Sequence, residues 1–183
     1  MSKYLAALAV LLIVNTSIAA DFRSVNWGDS MKKVIATEKK KPLFKKANGI
    51  MYKDVLAGID FTVMYQFVDG KLVAGAYDSQ AKHTNLSDYI EDYNKIVSLL
   101  IKKYGEALRE DINWKNNLYK DDPQHWGTAV SVGHLSFFSI WKTERSYISA
   151  GLDGDNFKIS HSILYYEKNY AEKRRHDADT KGL

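Results

Sequence analysis

Between Asn85 and Tyr104 the apolar residues recur at the spacing of one face of a helix. The stripe consists of Leu86, Tyr89, Ile90, Tyr93, Ile96, Val97, Leu100 and Tyr104. Acidic residues occupy the first turns, Lys102 and Lys103 occupy the last turn, and Gly105 supplies a left-handed stop. The sequence therefore predicts a long amphipathic helix with one buried face.

Two shorter helices are predicted, one on each side of the long one. The first follows Asp29 or Ser30, either of which can cap it, and it ends before Pro42. The other covers 122–131 and opens with Asp-Pro, because aspartate suits the cap and proline suits the first turn.

Apolar and polar residues alternate from 50 to 79, which is typical of strands. Two hairpin dipeptides, Ala57-Gly58 and Asp69-Gly70, divide this segment into three strands. The predicted partners are Tyr52 with Val63, Ile50 with Tyr65, Phe67 with Leu72, Tyr65 with Ala74 and Val63 with Ala76. Both turns place Val63 and Tyr65 on one apolar face, and a slip of one residue would turn that face to solvent. The agreement of the two registers supports a three-stranded meander.

Three further strands are predicted at 136–142, 147–153 and 157–166, with a turn at 153–156. The resulting order is a helix, three strands, one or two helices and three strands. This order predicts an α+β domain with a mostly antiparallel sheet of about six strands in two three-stranded meanders. We expect the sheet to pack against two or three helices.

The domain boundaries follow from the two ends of the chain. Lys3, an apolar run from Leu5 to Val14 and small residues up to Ala20 form a secretory signal peptide, residues 1–20. The run is shorter than the roughly 18 apolar residues that span a bilayer, so we expect no transmembrane segment in the mature chain. A single domain then covers 21–166, and the charged tail, 167–183, is expected to be frayed.

The signal peptide and the composition limit the cellular compartment and the kinds of chemistry that are expected. We expect cleavage near Ala19 or Ala20 and a periplasmic or secreted protein. The 183 residues include no cysteine, which excludes disulfides, a thiol nucleophile and the acylation site of a lipoprotein. The formal net charge of +4 is too small to indicate nucleic acid by itself, and no nucleic-acid partner is expected.

Positive charge is concentrated in one segment. Eight lysines against one acid, Glu38, place a charge of +7 between Met31 and Lys53. The candidate anion-binding residues are Lys39, Lys40, Lys41, Lys45 and Lys46. The segment predicts either an anionic partner, such as a lipid headgroup, or a solvated helix end and loop.

Motifs for catalysis are missing from the sequence. It has no G-x-S-x-G elbow, and its five histidines have no metalloprotease spacing, so no metal or cofactor is expected. His161 is the one histidine of interest, because strand alternation places it on the buried face with Phe157, Ile159, Ile163 and Tyr165. Burial there would perturb its pKa. It is either a packed core histidine or the general base of a hydrolase.

Several short motifs resemble a loose group of small exported bacterial proteins of unknown function. They are Phe22-Arg23, Trp27-Gly28-x-Ser30 with Val34, Gly70-Lys71-Leu72-Val73, Lys103-Tyr104-Gly105 and Trp141-x-Thr143. The order of elements is more distantly similar to secreted beta-lactamase inhibitor protein and to small envelope-assembly lipoproteins. Those proteins bind other proteins through a sheet face, so the resemblance implies a binding surface and no catalytic residue.

These observations favour an exported envelope protein that acts as a non-enzymatic binding or accessory module. The other face of the first meander presents Met64, Val73 and Tyr77, an apolar patch suited to a partner such as another envelope protein. The alternatives are a hydrolase that acts on envelope material through His161, and a binder of anions or lipid headgroups through the lysine-rich segment.

Overall fold

The computed structural model describes residues 20–180. The predicted signal peptide lies outside the described residues, except for Ala20. The elements are α1 (Met31–Glu38), β1 (Phe44–Lys46), β2 (Gly49–Leu56), β3 (Ile59–Val68), β4 (Lys71–Ser79), α2 (Asp88–Tyr104), β5 (Arg109–Trp114), a 3-10 turn (Pro123–His125), α3 (Trp126–Ser131), β6 (Leu135–Lys142), β7 (Ser146–Asp155), β8 (Lys158–Glu167) and α4 (Lys168–Thr180). None of the helices in this part of the chain has the length and apolarity needed to cross a membrane.

The eight strands of the described residues join one antiparallel sheet in the order β1-β2-β3-β4-β8-β7-β6-β5. The predicted α+β class with a mostly antiparallel sheet is confirmed, but the sheet has eight strands rather than about six. The two additional strands, β1 and β5, form the edges and have exposed, highly charged sequences. Because an edge strand needs only one partner and little burial, such strands carry a weak apolar signal.

The pairing of β2 with β3 confirms the predicted register, including Tyr52 with Val63 and Ile50 with Tyr65. The register between β3 and β4 is confirmed only next to the turn, where Phe67 faces Leu72. A bulge follows, because Gln66 and Phe67 face residues 74 and 72 and leave Val73 unpaired. The predictions that pair Tyr65 with Ala74 and Val63 with Ala76 are therefore wrong.

The bulge exchanges the side chains of β4 that face the core for those that face away from it. Tyr65 faces Gly75 and Val63 faces Tyr77, so that Tyr77 lies on the core face with only 8% of its surface exposed. The Phe22 ring lies against Gly75, and a Cβ atom at this position would overlap it. A glycine is therefore required where the N-terminal segment crosses the sheet.

The last hairpin turn also differs from the prediction. It lies at Asn156-Phe157, both of which have positive φ, and β7 continues to Asp155, which pairs with Lys158. Two-residue turns with positive φ at both positions match the twist of a hairpin. Phe157 is consequently exposed, and its predicted place on the buried face is wrong.

The core lies between the sheet and the layer formed by α1, α2, α3 and the N-terminal segment. Tyr93, Ile96 and Leu100 of the predicted long helix are buried in this core, which confirms its apolar face. Gly127 lets α3 pack directly on the backbone at Leu86, since a Cβ atom there would overlap it.

The fourth helix, α4, occupies most of the tail that was expected to be frayed, and none of its residues is buried. Its start is stabilised by the Glu167 carboxylate, which accepts hydrogen bonds from the backbone N–H groups of Asn169 (3.1 Å) and Tyr170 (2.7 Å).

Candidate functional site

One face of the sheet is free of α1, α2 and α3, and we call it the open face. A row of side chains crosses it from strand to strand, as the register pairs show: Phe44, Met51, Met64, Ala76, Leu164, Ser149 and Ile140. The first five of these are apolar and come from five neighbouring strands. With about 4.8 Å between strands, the apolar part of the row is about 19 Å long.

A cavity of about 370 Å³ lies over this apolar row, and we call it the groove. Its lining includes the apolar row together with Asn48, Gly49, Tyr65, Gln66, Ala74, Gly75 and Tyr166. Small residues on β4 lower the floor between the long side chains of Met64 and Leu164. No charged residue belongs to the lining. The volume falls within the range of small-molecule sites in proteins.

The helix α4 forms a wall beside the groove. Gln66 on β3 donates a hydrogen bond from its side-chain amide to the Tyr170 hydroxyl (3.0 Å). Tyr147 on β7 donates to the Glu172 carboxylate (3.2 Å). These contacts hold α4 to the strands of the open face.

Cations lie over the aromatic rings of this face. The Lys46 ammonium is 5.3 Å from the centre of the Phe44 ring, and the Arg174 guanidinium is 5.5 Å from the centre of the Tyr166 ring. A second cavity, of about 330 Å³, adjoins the groove at Tyr166 and is lined also by Ala171, Arg174 and Arg175. Within residues 20–180, neither of these arginines forms an ion pair with a carboxylate.

The structure separates the three residues predicted to form a partner face. Met64 lies in the floor of the groove. Val73 is the unpaired residue of the bulge and is partly exposed. The prediction that Tyr77 shares their face is wrong, because the bulge places this side chain in the core.

The five candidate anion-binding lysines are all exposed, in two groups. Lys39, Lys40 and Lys41 follow the end of α1, and Lys45 and Lys46 belong to the edge strand β1. Lys40 is engaged in an ion pair with Asp54 (2.7 Å). The groups therefore present positive charge at one edge of the sheet.

His161 lies in the core and is 2% exposed. Its ring lies between Phe61 and Tyr93, each 5.9 Å away between ring centres, and neither ring nitrogen has a hydrogen-bond partner among residues 20–180. Burial lowers the pKa of His161 to about 4, although the charge of Asp92 opposes this shift. The Asp92 carboxylate contacts His83 instead (2.7 Å). Among residues 20–180, no carboxylate contacts His161 to orient it as a general base would require.

Metal chemistry has no visible site in this part of the chain. Across residues 20–180, no three histidine or carboxylate side chains converge in a way that would hold a metal ion. His83 contacts Asp92 (2.7 Å) and lies 3.9 Å from Asp88, and His125 contacts Asp122 (2.7 Å).

A partly buried charge network, which the sequence analysis missed, joins three parts of the fold. Arg23 donates from its Nε to Glu38 at the end of α1 (2.8 Å) and also contacts Asp54 on β2. The Tyr65 hydroxyl donates to Glu38 as well. Burial would raise the pKa of Asp54, but hydrogen bonds from Lys40 and Arg23 outweigh it and lower the pKa to about 2. The network is internally paired, which indicates a structural rather than a catalytic role.

Comparison with known proteins adds no further assignment. Neither a protein-family model, a curated protein nor a solved structure matches this chain. The resemblance to small exported bacterial proteins therefore stays a prediction, and the open face is the candidate site on its geometry alone.

Proposed function

We propose that the protein is a non-enzymatic binding module of the bacterial envelope and that its open face is the binding surface. The observation that carries this proposal is the apolar row across five strands, with a groove of about 370 Å³ above it. A partly exposed apolar row that forms the floor of a groove is typical of a binding site.

The packing of His161 supports a binding role over hydrolysis. A general base must reach solvent or substrate and must have a pKa near the working pH. His161 is buried between two aromatic rings, so its ring nitrogens reach neither solvent nor substrate. Its lowered pKa keeps the ring neutral at ordinary pH. The hydrolase alternative has no other support in the geometry of the described residues.

The proposed envelope location rests on the signal-peptide pattern of residues 1–20. The order of elements predicted from the sequence resembles that of secreted beta-lactamase inhibitor protein, which binds through a sheet face, and this expected resemblance agrees with the proposal. This agreement is an analogy of architecture and names no partner.

Photo-crosslinking in the living cell tests the proposal. A photoreactive amino acid replaces Met64, in the floor of the groove, or Leu99, an exposed apolar residue of α2, as the matched control. We expect crosslinked adducts in the envelope fraction from position 64 and none from position 99. Adducts from position 99 alone, or recovery of the protein in the cytoplasm, would refute the proposal.

A further inference from the structure

We propose that the groove holds the alkyl chain of a single-chain anionic amphiphile, such as a long-chain fatty acid. Its anionic head then lies beside Arg174 and Arg175. This inference rests on the proposed function, because it names the ligand of the open face.

The floor of the groove suits a hydrocarbon better than a peptide. It runs across the strands, and the backbone N–H and C=O groups beneath it already pair within the sheet. The amide group of Gln66, one of the few polar side chains of the lining, already donates to Tyr170. A peptide backbone laid here would bury donors and acceptors without partners, which is unfavourable, whereas an alkyl chain has none.

The dimensions suit one chain rather than two. The apolar row is about 19 Å long, and the volume of about 370 Å³ is near the lower end for ligand sites. Two methionines, Met51 and Met64, lie in the middle of the floor. Their unbranched side chains adapt to a flexible ligand.

The end of the groove at Tyr166 provides the anion site. The adjoining cavity is lined by Arg174 and Arg175, and Tyr166 belongs to both cavities. Guanidinium groups pair with carboxylate or phosphate through two parallel hydrogen bonds. Because neither arginine is paired with a carboxylate among the described residues, both are available to a ligand whose chain lies in the groove.

Calorimetric titration of the exported protein with palmitate, below the concentration at which micelles form, tests the ligand class. We expect laurate to bind at least tenfold more weakly than palmitate, because it lacks four methylenes and each fully buried methylene contributes about fourfold in affinity. We expect Met64→Glu to weaken palmitate binding at least tenfold, and Met64→Leu to leave it nearly unchanged. The exposed variant Lys95→Gln on α2 is the control.

Comparison of head groups tests the arginines. The double variant Arg174→Gln with Arg175→Gln should weaken palmitate about tenfold and leave the neutral alcohol of equal chain length unaffected. Equal losses for both ligands would overturn the assigned position of the head group.

A photoreactive palmitate analogue keeps the inference testable if a variant fails to fold. We expect its crosslinks on the wild-type protein to map to the apolar row of the groove, above all to Met51, Met64 or Leu164, and crosslinks outside the lining of the groove would overturn the inference. No binding of monomeric palmitate, or binding only to vesicles that contain it, would also overturn it. If palmitate does not bind but position 64 still crosslinks a protein in the cell, the ligand assignment alone fails and the proposed function stands.

Discussion

Replacement of Arg23 by methionine should destabilise the fold through the charge that it leaves behind. The side chain of Glu38 is only 6% exposed and that of Arg23 is 20% exposed. Methionine keeps most of the volume of the aliphatic stem of arginine. Because both are L-residues with a side chain, the positive φ of this position is about equally strained with either one. The substitution therefore isolates the loss of the guanidinium from changes in packing and backbone strain.

The magnitude follows from the burial of the pair. Removal of one partner from a buried ion pair costs about 3–5 kcal/mol, because the other charge stays buried without compensation. Since Arg23 is a fifth exposed and the Tyr65 hydroxyl still donates to Glu38, we expect a loss near the lower limit, about 3 kcal/mol. This is a large part of the roughly 5–15 kcal/mol that stabilise an ordinary domain.

Urea denaturation followed by tryptophan fluorescence measures this loss as a lower midpoint at unchanged slope. The matched control is Arg109→Met, which removes an ion pair with Asp111 whose partners are 66% and 34% exposed. We expect the control to lose less than about 1 kcal/mol. The double variant Arg23→Met with Glu38→Gln should recover part of the stability. Equal losses for Arg23→Met and Arg109→Met would refute the reasoning.

Three further predictions concern other parts of the molecule. Because burial lowers the pKa of His161 from its ordinary value near 6.5 to about 4, the unfolded state binds the additional proton between these values. The free energy of unfolding should therefore fall as the pH decreases from about 6.5 to 4. The urea midpoint of His161→Phe should fall less over this pH range than that of the wild type. Gly75→Ala forces a methyl group against Phe22 and should cost about 1–3 kcal/mol in thermal or urea unfolding. Ala76→Gly, at the neighbouring half-buried position, is the control for a change of one methyl group in this strand. An unchanged midpoint for Gly75→Ala would contradict the close packing. If the lysine-rich segment binds anions, replacement of Lys39, Lys41, Lys45 and Lys46 by glutamine, with Lys40 kept for its ion pair, should lower the salt concentration that elutes the protein from heparin. Elution of both proteins at the same salt concentration would show that these charges are only solvated.

Local turn chemistry and apolar periodicity were sufficient to predict most of the sheet and the long helix. These two signals failed where a single residue shifts the alternation of buried and exposed side chains along a strand. The bulge at Val73 has no signature of its own in the sequence, and it sends Tyr77 to the core. The turn at Asn156-Phe157 was missed because phenylalanine is a rare residue at positive φ.

The candidate site was predictable only in fragments. Met64 was placed on the correct face, because its register comes from the confirmed pairing of β2 with β3. The full apolar row needs the pairing of β4 with β8, which joins residues about ninety positions apart and leaves no local pattern. The charge network of Arg23 depends equally on contacts between distant segments, since its partners are 15 and 31 positions away.

The central place of β8 in the sheet has a consequence for how the chain acquires its fold. Strand β4 has no second neighbour until residues 158–167 have emerged, and β7 is likewise unpaired on one side until then. Strand β4 thus stays open to pairing with other chains for much of synthesis or export, whereas β7 is open only briefly, because β8 follows it directly in the chain. The last strand of the chain closes the middle of the sheet, so a chain that ends before Lys158 should aggregate rather than form half a domain.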